Sequence, residues 1–192
     1  DHGKLKEAIE AYKKAISLRP NDATTYFNMG NALQEQGNTN EAVKACKKAI
    51  LLKPDYAKAY NNMGAAFRDQ VKLEASLEAY KKVILLDPNY AEAYNNMGDI
   101  FRDQEKFDEA IEAYKKALLL KPNYAQAYNN IGITFKVQGK INEAIDTFKK
   151  VTELNPNYAD GFNNLGATLS DHGKLKEAVE AYNKAISLRP ND

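Results

Sequence analysis

Six prolines stand at a constant spacing along this chain of 192 residues. They are Pro20, Pro54, Pro88, Pro122, Pro156 and Pro190, so that each follows the previous one by 34 residues. A fixed period of this length indicates a repeat architecture, in which one small supersecondary unit is stacked several times. The sequence therefore divides into a partial unit, residues 1–22, and five complete units at 23–56, 57–90, 91–124, 125–158 and 159–192.

Each complete unit has the apolar pattern of two helices. In the third unit the apolar and small residues of each half fall on a helical stripe, Tyr94, Met97, Gly98 and Phe101 in the first half and Ala110, Tyr114, Ala117 and Leu118 in the second. The polar residues between the halves predict a tight turn, and the proline predicts the end of the second helix. Asn38 and Asn89 each precede an acidic residue by three positions, which predicts that their side chains cap the following helices.

Glycines at one register of the first helix predict a close approach of helices, because glycine inside a helix costs about 1 kcal/mol relative to alanine. We expect the aromatic residue four positions earlier to fill the space beside each glycine, namely Tyr26, Tyr60, Tyr94, Tyr128 and Phe162 beside Gly30, Gly64, Gly98, Gly132 and Gly166. In the inter-helix turn, Val71 and Glu105 replace the glycine of other units. Since a β-branched residue resists positive φ, the turn is predicted not to be left-handed in every unit.

The period, with an aromatic residue, a Met/Ile/Leu-Gly pair, alanines, a second aromatic residue and proline at fixed offsets, resembles the tetratricopeptide repeat (TPR) family over the whole chain. The resemblance implies an all-α fold: a right-handed superhelical solenoid of antiparallel helix pairs, with five full repeats and an N-terminal half repeat that has only a second helix. It implies a single domain over 1–192. In this family the first helices line a concave groove that holds peptide segments of partner proteins.

The composition offers little for catalysis or for charged partners. With 27 basic and 26 acidic side chains the net charge is +1, which disfavours a nucleic-acid partner, and no apolar run is long enough for a membrane span. His2 and His172 lie in the same Asp-His-Gly-Lys segment, expected to be a solvated turn, and neither has a second ligand at metal-binding spacing. Cys46 replaces an aromatic core residue and is predicted to be buried, not a nucleophile. We expect no enzyme activity, metal or cofactor, and a cytoplasmic location.

Asparagine is the feature that exceeds the needs of the fold. A first asparagine row recurs immediately before the Met/Ile/Leu-Gly pair and consists of Asn28, Asn62, Asn96, Asn130 and Asn164. A second asparagine row precedes it by one residue in four units and consists of Asn61, Asn95, Asn129 and Asn163. A carboxamide both donates and accepts hydrogen bonds, so a row of them could hold the backbone of an extended peptide without regard to its side chains.

Two interpretations of the rows remain open. The first row could mainly bridge adjacent repeats or satisfy local backbone groups, since most side-chain hydrogen bonds are made to backbone or water. The doubled asparagines are similar to those of the TPR superhelix in O-linked N-acetylglucosamine transferases. That resemblance implies a role in holding the backbone of a protein substrate, and it admits the alternative that the chain is the substrate-holding part of a larger enzyme such as a glycosyltransferase.

The two terminal segments suggest a different function. The half repeat leaves Ala8, Tyr12, Ala15 and Ile16 without a first helix, and no further helix follows Val179, Ile186 and Leu188. Residues 1–22 and 171–192 are also nearly the same in sequence. Solenoids normally have polar capping units, so these apolar residues predict self-association into a homo-oligomer as an alternative to a monomeric peptide-binding scaffold.

Overall fold

The computed structural model of the protein describes residues 2–189. Asp1 and residues 190–192, which include Pro190 and the outer limits of the first and last predicted units, lie outside the described residues. The described chain forms helices and no strand, which confirms the all-α class. The helices are α1 (His2–Leu18), α2 (Ala23–Glu35), α3 (Thr39–Leu52), α4 (Ala57–Asp69), α5 (Leu73–Leu86), α6 (Ala91–Asp103), α7 (Phe107–Leu120), α8 (Ala125–Val137), α9 (Ile141–Leu154), α10 (Ala159–Asp171) and α11 (Leu175–Leu188).

Helices of two kinds alternate along the chain. The first helices, α2, α4, α6, α8 and α10, begin at the first residue of the five complete units, and the second helices, α3, α5, α7, α9 and α11, end just before the prolines. Helix α1 corresponds to a second helix. The predicted repeating helix pairs are therefore confirmed. Within the described residues, no helix is both long and apolar enough to cross a membrane.

The chain separates into two compact units, one ending at Asn96 and the other beginning at Met97. In the first unit the helices α1 to α5 pack in chain order, each against its neighbour. The core between α1, α2 and α3 contains Ile9, Leu33 and Val43 with small alanines, and Met29 and Phe67 pack against it. Alternation of large and small apolar residues lets neighbouring helices of the first unit approach closely.

The second unit repeats this packing from α7 to α11. Phe148, Leu165 and Leu169 form its principal cluster with Ile145 and alanines of α9 and α11. Tyr114 and Ile131 form a further cluster with Ala110. The proposal that residues 1–192 form one domain stays a prediction.

The second helix, not the first, supplies the side chain that lies against each repeated glycine. A methyl group added at Gly64 would lie 2.8 Å from the Tyr80 ring, and one added at Gly98 would lie 2.5 Å from the Tyr114 ring. Cys46 takes this place against Gly30, with its sulfur 3.0 Å from the added methyl position. The prediction that Tyr26 and its equivalents fill this space was wrong, because a helical stripe reveals neighbours along one helix and not the side chain that arrives from another.

The inter-helix turn is left-handed in all five units. Val71 and Glu105 have φ of 57° and 59°, and Gly37, Gly139 and Gly173 have φ between 73° and 83°. The prediction that Val71 and Glu105 would avoid this conformation was wrong. Two backbone hydrogen bonds impose it: the N–H of Lys72 donates to Phe67 at 2.9 Å, and the N–H of Val71 donates to Arg68 at 2.8 Å. This is the Schellman pattern, and it recurs in every unit.

Three further residues differ from the sequence predictions. Asn38 precedes α3 but its side chain makes no capping hydrogen bond and donates to Gln36 instead. Asn89 lies one residue too early, because α6 begins at Ala91. His2 is helical, since α1 begins there, whereas His172 follows the last residue of α10 and lies in the predicted turn.

Candidate functional site

The two asparagine rows lie on the first helices, and burial divides their members into two groups. Asn95, Asn129 and Asn130 are buried, and Asn95 has no solvent exposure. The remaining six are at least partly accessible, and Asn163 is the most exposed: Asn28, Asn61, Asn62, Asn96, Asn163 and Asn164. Four of these accessible amides belong to the first compact unit.

In the first compact unit, asparagines of successive first helices are hydrogen-bonded to each other. The amide nitrogen of Asn62 in α4 donates to the side-chain oxygen of Asn31 in α2. The amide nitrogen of Asn96 in α6 donates to the side-chain oxygen of Asn61 in α4 at 3.2 Å. Asn62 and Asn96 therefore each reach back to the preceding repeat.

In the second compact unit, the first-row asparagines donate to two different kinds of acceptor. Asn164 donates to Asn129 at 2.9 Å, whereas Asn130 donates to the carboxylate of Asp99 at 3.0 Å. Asp99 is buried and also accepts a hydrogen bond from the Tyr114 hydroxyl at 2.7 Å. Arg102 lies 3.4 Å from the same carboxylate oxygen. Hydrogen bonds from α7 and α8 and an ion pair with Arg102 of α6 thus satisfy a carboxylate that would be costly to bury alone.

The acceptor differs with the residue that follows the repeated glycine. Where that residue is polar, as in Asn31 and Asp99, the next repeat's first-row asparagine donates to it. Where it is apolar, as in Ala65 and Ile133, the asparagine donates to the second-row amide of the preceding repeat. Asn31 and Asp99 were not predicted as members of the site. The signal that could have revealed them is the variation at this one position, Asn, Ala, Asp, Ile and Ala, within an otherwise regular pattern.

These bridges leave part of each amide's hydrogen-bonding capacity unused. A carboxamide has two N–H donors and an oxygen with two acceptor positions. The bridge from Asn96 uses one donor of Asn96 and one acceptor position of Asn61, and Asn61 in turn uses one of its own donors toward the side-chain oxygen of Asn62 at 3.5 Å. It also fixes the rotation of both side chains, so that the remaining groups are held in defined directions. The bridging role and the peptide-holding role are therefore compatible in one side chain.

The other residues that the sequence singled out are Cys46, the apolar residues of the two terminal segments and the possible metal ligands. Cys46 is a buried free thiol, and burial raises its pKa to about 11. In α1, Ala8, Tyr12, Ala15 and Ile16 are half-buried, and Tyr12 packs on the core of the first unit. On α11, Val179 and Ile186 are exposed by 57% and 63%, and Leu188 is half-buried. Among the described residues, no three His, Cys, Asp or Glu side chains are grouped so that they could hold a metal ion.

Comparison with solved structures shows the same arrangement of helix pairs elsewhere. A crystal structure of MamA is 25% identical, covers 84% of this chain and 95% of MamA, and has a TM-score of 0.69. The crystal structure of YrrB, a TPR protein described as having an unusual peptide-binding site, is 26% identical, covers 95% of this chain and 94% of YrrB, and has a TM-score of 0.63. A thermophilic TPR protein from Thermus thermophilus is similar in fold, with 19% identity, a TM-score of 0.77 and coverage of 89% and 93%.

Family models match the chain at its repeats. The model described as TPR repeat matches residues 1–37, 66–100 and 98–139. The model described as Tetratricopeptide repeat matches residues 23–56, 125–158 and 159–192, which are three of the five complete units. No curated protein gives a significant match. Since each family model covers more than half of the residues, the chain belongs to the tetratricopeptide repeat family.

Proposed function

We propose that the protein is a non-catalytic interaction module that holds an extended segment of a partner protein through the accessible amides of its asparagine rows. The observation that carries this proposal is the pair of amide bridges in the first compact unit, Asn62 to Asn31 and Asn96 to Asn61. They orient partly exposed side chains that still have donors and acceptors to offer. The buried Asn129 acts as a positioning group within this scheme, because it accepts the hydrogen bond that orients Asn164.

The spacing of the helices suits an extended ligand. Packed helices lie about 8–10 Å apart, and an extended chain rises about 3.3 Å per residue, so that successive first helices meet a peptide at about every third residue. Amides that bind C=O and N–H groups recognise the peptide backbone, which every sequence shares. We therefore expect this site to tolerate many side chains and to require an extended conformation.

A structural relative supports a peptide or protein as the partner. YrrB is described as having a peptide-binding site, and it is similar to this chain over most of both proteins. The near-neutral charge of the chain also gives no reason to expect a nucleic acid. A protein segment is thus the ligand class that the fold and the amide chemistry favour together.

The proposal is tested by replacing Asn61 with aspartate. Asn61→Asp keeps an oxygen that can accept the bridge from Asn96 but removes both N–H donors, of which one is donated to the Asn62 side chain at 3.5 Å and the other is the one that a peptide carbonyl would use. The matched control is Asn89→Asp, the same change at an exposed turn position of the same compact unit. Unstructured peptides selected on the wild-type protein from a random library should bind Asn61→Asp about five- to tenfold more weakly and bind the control within about twofold.

Loss of affinity in both variants would indicate an effect of charge alone, and loss in neither would show that Asn61 makes no contact with the peptide. Either result would remove the asparagine mechanism and leave the family assignment unchanged. Circular dichroism melting of both variants checks that the helices remain folded.

Self-association through α11 is a second candidate, favoured by one observation. Val179 is exposed, whereas the residues at the same repeat position in α3, α7 and α9, namely Val43, Ile111 and Ile145, are buried. Burying this face in an oligomer would remove apolar surface from water. Sedimentation over a concentration series should then show an oligomer that Val179→Glu dissociates, and a monomer at every concentration would contradict the candidate.

A further inference from the structure

A cleft of about 630 Å³ lies between α1, α2 and α3 in the first compact unit. Its floor is apolar and consists of Ile9, Tyr26, Met29, Leu33 and Ala45. Ile9 and Leu33 are almost fully buried, so the floor is firmly packed from below. The residues that line this α1–α3 cleft include no member of either asparagine row. Its volume lies within the range of about 300–1,000 Å³ that is typical of ligand sites.

The first complete repeat has less aromatic bulk beside this cleft than the next three repeats. Leu33 stands where the following repeats have Phe67, Phe101 and Phe135. Cys46, on the same pair of helices, stands where they have a tyrosine or a phenylalanine. A phenylalanine in place of Leu33 would extend its ring from the floor toward the cleft. The cleft is therefore open where the repeat pattern would otherwise place an aromatic side chain.

Charge also distinguishes this repeat from the others. At the position of Lys44 the other second helices and α1 have an acidic residue: Glu10, Glu78, Glu112, Asp146 and Glu180. Three of these glutamates pair with the lysine three residues later, at 2.7 to 3.0 Å. In α3 both positions are lysine, Lys44 and Lys47. The edge of the cleft therefore has positive charge at positions where, in α1, α5 and α7, a glutamate and a lysine neutralise each other.

Lysines are present on the α1 side of the cleft as well. Lys6 and Lys13 line it together with Lys44, and the acidic lining residues are Glu10 and Glu41. Lys13 is paired with Glu10 at 2.7 Å. The other charged residues of the lining are two lysines, Lys6 and Lys44, and one glutamate, Glu41. Lysine side chains extend apolar stems toward such a cleft while their ammonium groups remain in water. The combination is an apolar floor with a net positive rim.

We propose that the α1–α3 cleft is a second protein-interaction site, which takes an aromatic side chain of a partner segment that has a carboxylate next to it. The ring would occupy the space that a phenylalanine leaves free at Leu33, and the carboxylate would lie near Lys44 and Lys6. A buried aromatic anchor within a charged rim is a common source of binding energy at protein interfaces. This site differs from the asparagine rows because it selects side chains, and the two proposals do not depend on each other.

The test replaces each of the two residues by the one that most of the other repeats carry at that position. Leu33→Phe fills the cleft, and Lys44→Glu removes its positive rim. Their controls are Leu169→Phe, the same change at the equivalent position of α10, and Lys48→Glu, on α3 but outside the lining. Peptides selected from a random phage-displayed library on the wild-type protein are synthesised with a fluorophore, and their dissociation constants are measured on all four variants.

We expect one class of selected peptides to contain an aromatic residue beside an acidic one. These peptides should lose at least about tenfold in affinity on Leu33→Phe, as expected for the loss of one interface anchor. They should lose several-fold on Lys44→Glu and bind both controls and Asn61→Asp like the wild type. If Leu33→Phe does not fold, Lys44→Glu, which changes an exposed side chain, decides the matter alone.

Three results would overturn the proposal. One is a set of peptides that bind folded Leu33→Phe and Lys44→Glu as tightly as the wild type. Another is a set of cleft-dependent peptides without an aromatic residue. The third is binding that is reduced by Asn61→Asp and not by Leu33→Phe, because this would leave the asparagine rows as the site and the cleft unused.

Discussion

Replacement of Val71 by glycine should stabilise the protein, although it removes a side chain. Val71 has φ of 57°, in the left-handed region where an L-residue pays about 1–2 kcal/mol. Its side chain is 78% exposed, so its loss sacrifices little apolar burial. Glycine also makes the unfolded chain more flexible, which offsets about 0.4–1 kcal/mol of the gain from relieving this strain. The free energy of unfolding should therefore rise by about 0.5–1 kcal/mol.

A chain of this size should melt about 2–4 °C higher for each 1 kcal/mol gained, so Val71→Gly is expected to raise the melting temperature by about 1–4 °C. Urea denaturation followed by circular dichroism gives the corresponding free energy. The matched variant is Gly139→Val, at the same turn position of another repeat. Gly139 has φ of 73° and nothing within 4 Å of an added Cβ, so only backbone strain opposes the valine.

The two variants should change stability in opposite directions by similar amounts. A decrease in stability for Val71→Gly would refute the reasoning, since it would mean that the valine side chain contributes more than the strain of its backbone costs. Effects of the same sign in both variants would also refute it, because strain at this left-handed position predicts opposite signs when glycine is introduced and when it is removed.

Three further changes test other contacts. Tyr114→Phe removes a donor from the buried carboxylate of Asp99 and should cost about 1–2 kcal/mol in urea denaturation. Asn61→Ala should lower stability by about 0.5–1.5 kcal/mol by removing a bridge acceptor, and Ala65→Asn should restore it in the double variant, which a double-mutant cycle measures. Because burial raises the Cys46 pKa from 9.0 to about 11, the folded state retains a proton that the unfolded thiol loses in this pH range. The free energy of unfolding should therefore be constant below pH 9 and fall by about 2 kcal/mol toward pH 11. Cys46→Ala should not show this fall.

The helix pairs could be predicted from the sequence because their causes are local. The apolar stripe of Tyr94, Met97 and Phe101 has the helical period, and the prolines end the second helices at one register. These signals repeat five times, which separates them from chance. The two helices of each unit and the family resemblance followed from the same repeated pattern.

The details that involve two helices could not be read in this way. Whether Tyr94 or Tyr114 lies against Gly98 depends on how helices cross, which a stripe on one helix does not reveal. The turn at Val71 was mispredicted because two backbone hydrogen bonds outweigh the preference of one residue. The acceptors of the asparagines lie 31 or 35 residues away, so that only the assembled helices determine which of them is reached.

The choice of amide acceptor has a consequence for the order of the repeats. The acceptor of a bridging asparagine belongs to the preceding repeat, as Asn31 does for Asn62 and Asn61 for Asn96, so the preceding repeat sets its partner and hence its orientation. A repeat that is moved to another place in the chain would therefore orient its asparagine side chains differently. Two chains built from the same five repeats in different orders would have the same composition and the same helix pairs, yet would present their amides in different directions. A change in the order of the repeats could thus change the ligand of such a protein without any substitution of the asparagines.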